Sequence, residues 1–232
     1  FAIFEAEFIS HILLKKISNN HNIDPVFKKV VKSFCDEELK HAEMFHRLNK
    51  IADSILYSGS NIALSRQANP LGLFVLYLMK KLPDLFGAWI WLSFFLEERS
   101  LVYSKYYLLD RNQHLNSSFR MVHKLHLLEE NYHVQLDEVI INEFYRPLSL
   151  WKRKLSAWTL SRFVRSFQQP RRMSESIAKV LKKEFPFDKD RIDACLKELP
   201  TLKENQEFQK NTLGIEATVR FRKMLKAFPE MA

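Results

Sequence analysis

The sequence predicts an all-helical, all-α protein: a four-helix bundle followed by additional C-terminal helices. Three observations predict it. The 232 residues include only four glycines, and long stretches lack both Gly and Pro, which disfavours a turn-rich sheet protein. Apolar residues recur at helical period in four successive segments of residues 1–147. Each of those segments also carries a metal-binding residue type in phase with its apolar stripe. Length and composition, 47% hydrophobic and 27% charged, are those of a soluble globular chain with one substantial core.

The first helix is expected over 1–18, with Phe1, Phe4, Phe8, Ile9 and Ile12 as its buried stripe. Glu5 lies inside that stripe and Glu7 at its edge. Asp24-Pro25 then supplies an N-cap and a proline at the first helical position. The second helix is expected from Pro25 to about Ser58, with Phe27, Val30, Phe34, Phe45 and Leu48 inward. Glu38 and His41 share that face, while Glu37, Glu43 and His46 point to the sides. Residues 59–70 read as a polar loop. A third helical region from Leu71 breaks near Pro83. Its second part, from about Leu85 to Asp110, places Phe86, Ile90, Phe94, Leu101 and Leu108 on one face. Glu97 shares that face, and Glu98 is turned away by one residue. The charge-free run Leu85–Leu96 is shorter than the ~20 residues a bilayer span needs, so it reads as core helix. After a turn over 112–118, the fourth helix runs to about Tyr145, where Arg146-Pro147 ends it.

That fourth helix carries His126, Glu130 and His133 at intervals of four and three, which stacks them on one helical face. Val122, Ile140, Ile141 and Phe144 continue the face as an apolar stripe. Two imidazoles and a carboxylate without partners in a dry core would cost several kcal/mol. A bound metal removes that cost. The inward-facing set is then Glu5, Glu38, His41, Glu97, His126, Glu130 and His133, drawn from four helices, with Glu-x-x-His used twice. Such a set builds a two-metal carboxylate site inside a helical bundle, and its oxygen and nitrogen donors suit iron or manganese. A single Glu-x-x-His usually marks an exposed charged face; two copies on apolar stripes, with two further core-phase Glu, favour metal. Phase prefers Glu97 to Glu98 and Glu5 to Glu7. His126 also fits a core histidine bonded to a backbone carbonyl. Asp137 fits either a partner to a ligating imidazole or a solvated helix-end residue.

The bundle and the paired motifs resemble the ferritin-like di-iron proteins. His126, one turn before Glu130, narrows the likeness to the arylamine (p-aminobenzoate) N-oxygenase family. That family has the order Glu, Glu-x-x-His, Glu, His-x-x-x-Glu-x-x-His. Here the order is matched by Glu5, Glu38 with His41, Glu97, then His126, Glu130 and His133, over about Phe1 to Phe144. The resemblance implies two Fe ions, with a Mn/Fe pair also open, and O2 as co-substrate. It implies an oxygenase acting on a small-molecule or carrier-tethered, largely apolar substrate by N-oxygenation or C–H oxidation, with an electron donor. Glu38 and Glu130 are the candidate bridging, catalytic carboxylates. Glu5, Glu38 and His41 would serve mainly one iron, and Glu97, His126, Glu130 and His133 mainly the other. The competing reading is a ferritin-like iron-binding or storage protein without oxygenase activity.

The net charge of +9 is uneven. Residues 146–232 hold 20 Lys+Arg and 10 Asp+Glu, leaving 16 and 17 for the rest, so +10 and −1 sum to the total. This divides a metal-binding body, 1–147, from a basic helical extension, 148–232, packed on or beside it. Helices are expected over Leu150–Phe167, 173–185, 188–198 and 213–227. Three readings compete for the extension: a solvated cover for the bundle, a dock for an acidic carrier protein, or attachment to an anionic membrane surface through the Trp, Phe and Lys/Arg mixture of Leu150–Phe167. No motif accompanies the charge that would indicate nucleic acid. A homodimer is open. Cys35 and Cys195 form no disulfide framework, and no signal peptide is visible, which points to a cytoplasmic setting, with or without peripheral membrane contact. The opening at Phe1 without Met reads as a piece of a longer chain.

Overall fold

The computed structural model of the chain describes residues 8–52, 54, 70–168, 175, 178–179, 181–183 and 185–231. The described residues are all-helical, with no strand among them. The elements that matter here are α1 (Ser10–Asn19), α2 (Pro25–Ala52), α3 (Pro70–Lys81), α4 (Ala88–Leu108), α5 (Ser117–Ile140) and α6 (Leu150–Gln168). Three short helices follow: α7 (Lys189–Glu198), α8 (Gln206–Leu213) and α9 (Val219–Lys226). Phe1, Phe4, Glu5 and Glu7 lie outside the described residues. So does the loop expected over 59–70, except Pro70, which opens α3. The helix expected over 173–185 is only partly described; its described residues 175, 178–179 and 181–183 are helical.

Local chemistry sets the helix ends. Asp24 Oδ1 accepts from the backbone N–H of Val26 (2.6 Å) and Phe27 (3.1 Å), capping α2 ahead of Pro25. Asn116 does the same for α5 through Ser118 and Phe119. α5 ends in a wide π turn, Ile141–Tyr145, that keeps Ile141, Phe144 and Tyr145 all buried. Between α3 and α4, Gly87 sits where a Cβ would meet Leu148 Cδ1 at 3.0 Å and the Tyr145 ring at 3.1 Å. A larger residue there would require these side chains to shift by a few tenths of an ångström.

Side-chain pairs give the packing. Phe27 meets Phe144 (6.1 Å), Phe34 meets His133 (4.6 Å), and Phe45 meets His126 (5.1 Å), so α2 and α5 run antiparallel. Glu97 faces His133 while Tyr107 packs on Phe119, so α4 and α5 are antiparallel too. α1 lays Ile12, Leu13 and Ile17 into the same core.

Three expectations change. The inward valine of α2 is Val31, fully buried, while Val30 is 43% exposed. α4 is buried nearly all round, from Ala88 to Phe95 and again from Glu97 to Leu101. Its second side is covered by the chain's end, where Phe221 packs on Phe94 and Phe95, and Phe228 on Trp91 and Tyr145. The helix expected over 213–227 is shorter: Leu213 ends α8, Gly214 leaves it so sharply that a Cβ would lie 2.0 Å from the Lys210 carbonyl oxygen, and α9 covers Val219–Lys226. Among the described residues no helix is long and apolar enough to cross a membrane.

Candidate metal centre

α2 delivers Glu38 and His41, α4 delivers Glu97, and α5 delivers His126, Glu130 and His133 to one interior point. Glu38, His41, Glu97 and Glu130 are 0% exposed, and His126 and His133 are 2% exposed. One ligand atom from each of Glu38, His41, Glu130 and His133 lies within 4.8 Å of all the others, a grouping that could hold a metal ion. Glu130 Oε1 is 2.8 Å from His126 Nε2, 3.4 Å from His41 Nδ1 and 3.9 Å from His133 Nδ1. Glu38 Oε1 is 2.7 Å from His133 Nδ1 and 3.7 Å from His41 Nδ1. Glu97 Oε2 is 3.6 Å from His133 Nδ1. Glu5 lies outside the described residues.

Several of these atoms stand at ion-pair distance, but their orientation is not that of hydrogen bonds. Both oxygens of Glu38, Glu97 and Glu130, with His41 Nδ1, His126 Nε2 and His133 Nδ1, are buried and lack hydrogen-bond geometry to any partner. Nine orphaned polar atoms around one space would be a heavy penalty in an apolar core. The same atoms suit a cation, since each offers a lone pair when the carboxyls are ionised and the imidazoles neutral.

The outer nitrogens of two imidazoles are held. His41 Nε2 donates to Glu129 Oε2 at 2.7 Å, and His133 Nε2 donates to Glu37 Oε2 at 2.9 Å. The arrangement is reciprocal: α5 holds the histidine of α2, and α2 holds that of α5. A carboxylate on Nε2 fixes the Nε2–H tautomer and turns the Nδ1 lone pair inward. Lys40 in turn pairs with Glu129. Helical phase alone left Glu37 to the side and did not single out Glu129. The available signal was the doubled Glu-Glu-x-x-His, Glu37–His41 and Glu129–His133, in which the first Glu always precedes the inward one.

The open alternatives separate. Glu98 is buried but faces away from the cluster, accepting from the backbone N–H of Arg220 (2.7 Å) and Phe221 (2.9 Å) at the start of α9. His126 has side-chain neighbours: its Nδ1 is 3.5 Å from Ser104 Oγ, itself 3.1 Å from His123 Nδ1. This third imidazole is therefore backed by a neutral hydroxyl, where the other two have carboxylates. Asp137 is 1% exposed, which rules out a solvated helix end, and the imidazole-holding role belongs to Glu37 and Glu129.

Electrostatics agree with a cluster short of positive charge. Burial, with the charges of Glu130 and Glu38, pushes Glu97 well above the usual carboxyl range. Burial raises Glu130 to about 7, helped by Glu38 and Asp137. Asp137 is also pushed well up, by burial and Glu97. Burial acts to raise Glu38 too, but His133 and His41 outweigh it and hold it near 2. His133 rises to about 12 against its burial because Glu38 and Glu97 face it, whereas burial takes His126 down to about 3. Without a cation the cluster thus retains protons that a cation would replace. Phe34 and Phe45 pack edge-on against His133 and His126 and help keep water out. An open groove of about 490 Å³, lined mainly by Leu181, Phe185, Ile192, Cys195 and Leu199, belongs to the C-terminal part and includes none of the cluster residues.

Comparison with protein-family models, with curated proteins and with solved structures finds no match to this chain.

Proposed function

We propose that the chain is a non-haem di-iron oxygenase of ferritin-like four-helix architecture, oxidising a largely apolar substrate by N-oxygenation or C–H oxidation. The observation that carries this reading is the inward convergence of the orphaned atoms of Glu38, His41, Glu97, His126, Glu130 and His133. A bound iron pair would supply the redox chemistry, passing two donor electrons to O2 while the substrate gives two more and one oxygen leaves as water.

The chain's own residues do the rest. Glu130 and Glu38 are the bridging candidates, because each has an oxygen within 3.9 Å of both His41 Nδ1 and His133 Nδ1. Glu37 and Glu129 keep both imidazoles aimed inward. His126, Ser104 and His123 form a hydrogen-bonding line from the cluster toward the half-buried His123. Phe34 and Phe45 exclude water from the reacting region.

Anaerobic Fe(II) loading followed by O2 exposure tests the reading. Two irons per chain, a transient visible band and oxygen incorporation into amine or acyl substrates support it. Glu130→Ala and His133→Ala should each abolish iron retention. Wild type that retains no iron, or variants that still hold two per chain, would overturn it. Iron uptake far beyond two per chain with no oxidised product would point to storage.

A further inference from the structure

α6 inverts the usual placement of tryptophan. Its inner face is Ser156, Thr159 and Leu160, all buried, with Phe163, Val164 and Phe167 packed against the core. Phe167 reaches Phe95 of α4 at 5.6 Å. Its outer face carries Trp151, 58% exposed, and Trp158, 65% exposed. The other two tryptophans, Trp89 and Trp91, are fully buried. Lys154, Arg162 and Arg165 are exposed on α6 as well. At 3.6 residues per turn, Trp151, Lys154, Trp158, Arg162 and Arg165 fall within an arc of about 80° along about 21 Å of helix.

The charge around this stripe has one sign. From Arg146 to Ser174 the sequence contains no Asp or Glu. Arg153 is engaged with Glu230, but among the described residues no ion pair involves Lys154, Arg162 or Arg165. The stripe therefore presents two indoles and three cations that pair with no acid among the described residues.

We propose that the outer face of α6 docks on an anionic lipid surface. Indole rings favour the headgroup region, where a ring can be buried while its N–H stays wet. Cations on the same face meet lipid phosphates. A helix lying flat on lipid needs no shaped pocket to bury both rings, whereas a protein partner would have to supply two indole sockets one heptad apart. Contact is peripheral, since no described helix is long and apolar enough to cross. The inference stands independently of the metal centre.

Vesicle sedimentation tests it, with mixed phosphatidylglycerol–phosphatidylcholine vesicles against phosphatidylcholine alone. Binding is expected only to the anionic vesicles and should vanish at high salt. Acyl-brominated lipid should quench tryptophan emission. Arg162→Glu with Arg165→Glu should weaken binding by at least roughly tenfold. Trp151→Ser with Trp158→Ser should remove the quenching, while an unchanged melting temperature shows the core is intact. Absence of binding to anionic vesicles, or quenching that survives the double serine variant, would overturn the proposal. Salt-sensitive binding to an acidic protein without vesicle binding would overturn it in favour of a protein dock.

Discussion

The space between α2 and α5 and the outer face of α6 break the usual residue distribution in opposite directions. The first buries four carboxyl groups, Glu38, Glu97, Glu130 and Asp137, and the second exposes two tryptophans. In the interior, Glu38, Glu97 and Glu130 keep every oxygen free of hydrogen bonds. Some other buried polar groups are satisfied, as Glu98 is by α9 and Ser100 by the Glu97 carbonyl, and orphans elsewhere among the described residues, such as Trp91 Nε1 and Ser93 Oγ, include no carboxylate–imidazole grouping of this kind. Burial alone therefore does not mark the cluster; unspent bonding capacity around a shared space does. On α6, exposure alone does not mark the stripe either. Leu128 and Tyr132 are as exposed on α5, but only on α6 do exposed indoles share a face with unopposed cations. In each case a residue type in the wrong place becomes informative through what accompanies it.

The largest expected contrast is metal retention. Glu130→Ala or His133→Ala should take bound iron from two per chain to none by elemental analysis, whereas Trp151→Ser with Trp158→Ser should leave it at two. The next contrast uses one residue type in both regions. Trp91→Ala removes a fully buried ring from the Tyr145 and Phe228 cluster and should cost about 3–5 kcal/mol in urea unfolding. Trp151→Ala should stay within about 0.5 kcal/mol. Smaller still, Glu37→Gln or Glu129→Gln should weaken metal binding by about 10–100-fold in competition with a chelator. The fold should survive, because both carboxylates are only partly buried.

The finest test is pH. In metal-free protein the Glu130 carboxyl is raised from 4.5 to about 7. Its proton stabilises the fold fully below about pH 4.5, and that contribution is lost as pH rises through about 7. Glu130→Gln carries no such proton. The melting temperature of metal-free Glu130→Gln should therefore gain on wild type between about pH 5 and about pH 8. A Glu130→Gln melting temperature that falls relative to wild type over that range would contradict the interior electrostatics described above. Adding metal to wild type should release protons over the same range.

Helical phase made much of the interior legible. Glu38, His41, Glu97, His126, Glu130 and His133 all lie inward, as their spacing against the apolar stripes predicts. Asp24 caps α2, and Pro83 separates α3 from α4. Phase is a property of one helix about its own axis, so a sequence carries it without knowledge of neighbours. What depends on a neighbour was not legible. The buried position on α2 is Val31, next to the expected Val30. Glu98 is off the site-facing stripe as expected, but its burial comes from α9, which covers that side of α4.

The sequence by itself determined the helices from α2 to α7, though not α8, where α2 is capped, and which face of each carries carboxylates and imidazoles, because those follow from spacing of a few residues along one helix. Only the tertiary structure decided that Glu37 holds His133, that Glu129 holds His41, that Ser104 backs His126, and that Trp151 and Trp158 stay outside. Each of these is a relation between elements far apart in the chain, fixed by how helices pack, and helical periodicity within any one segment contains no term for it.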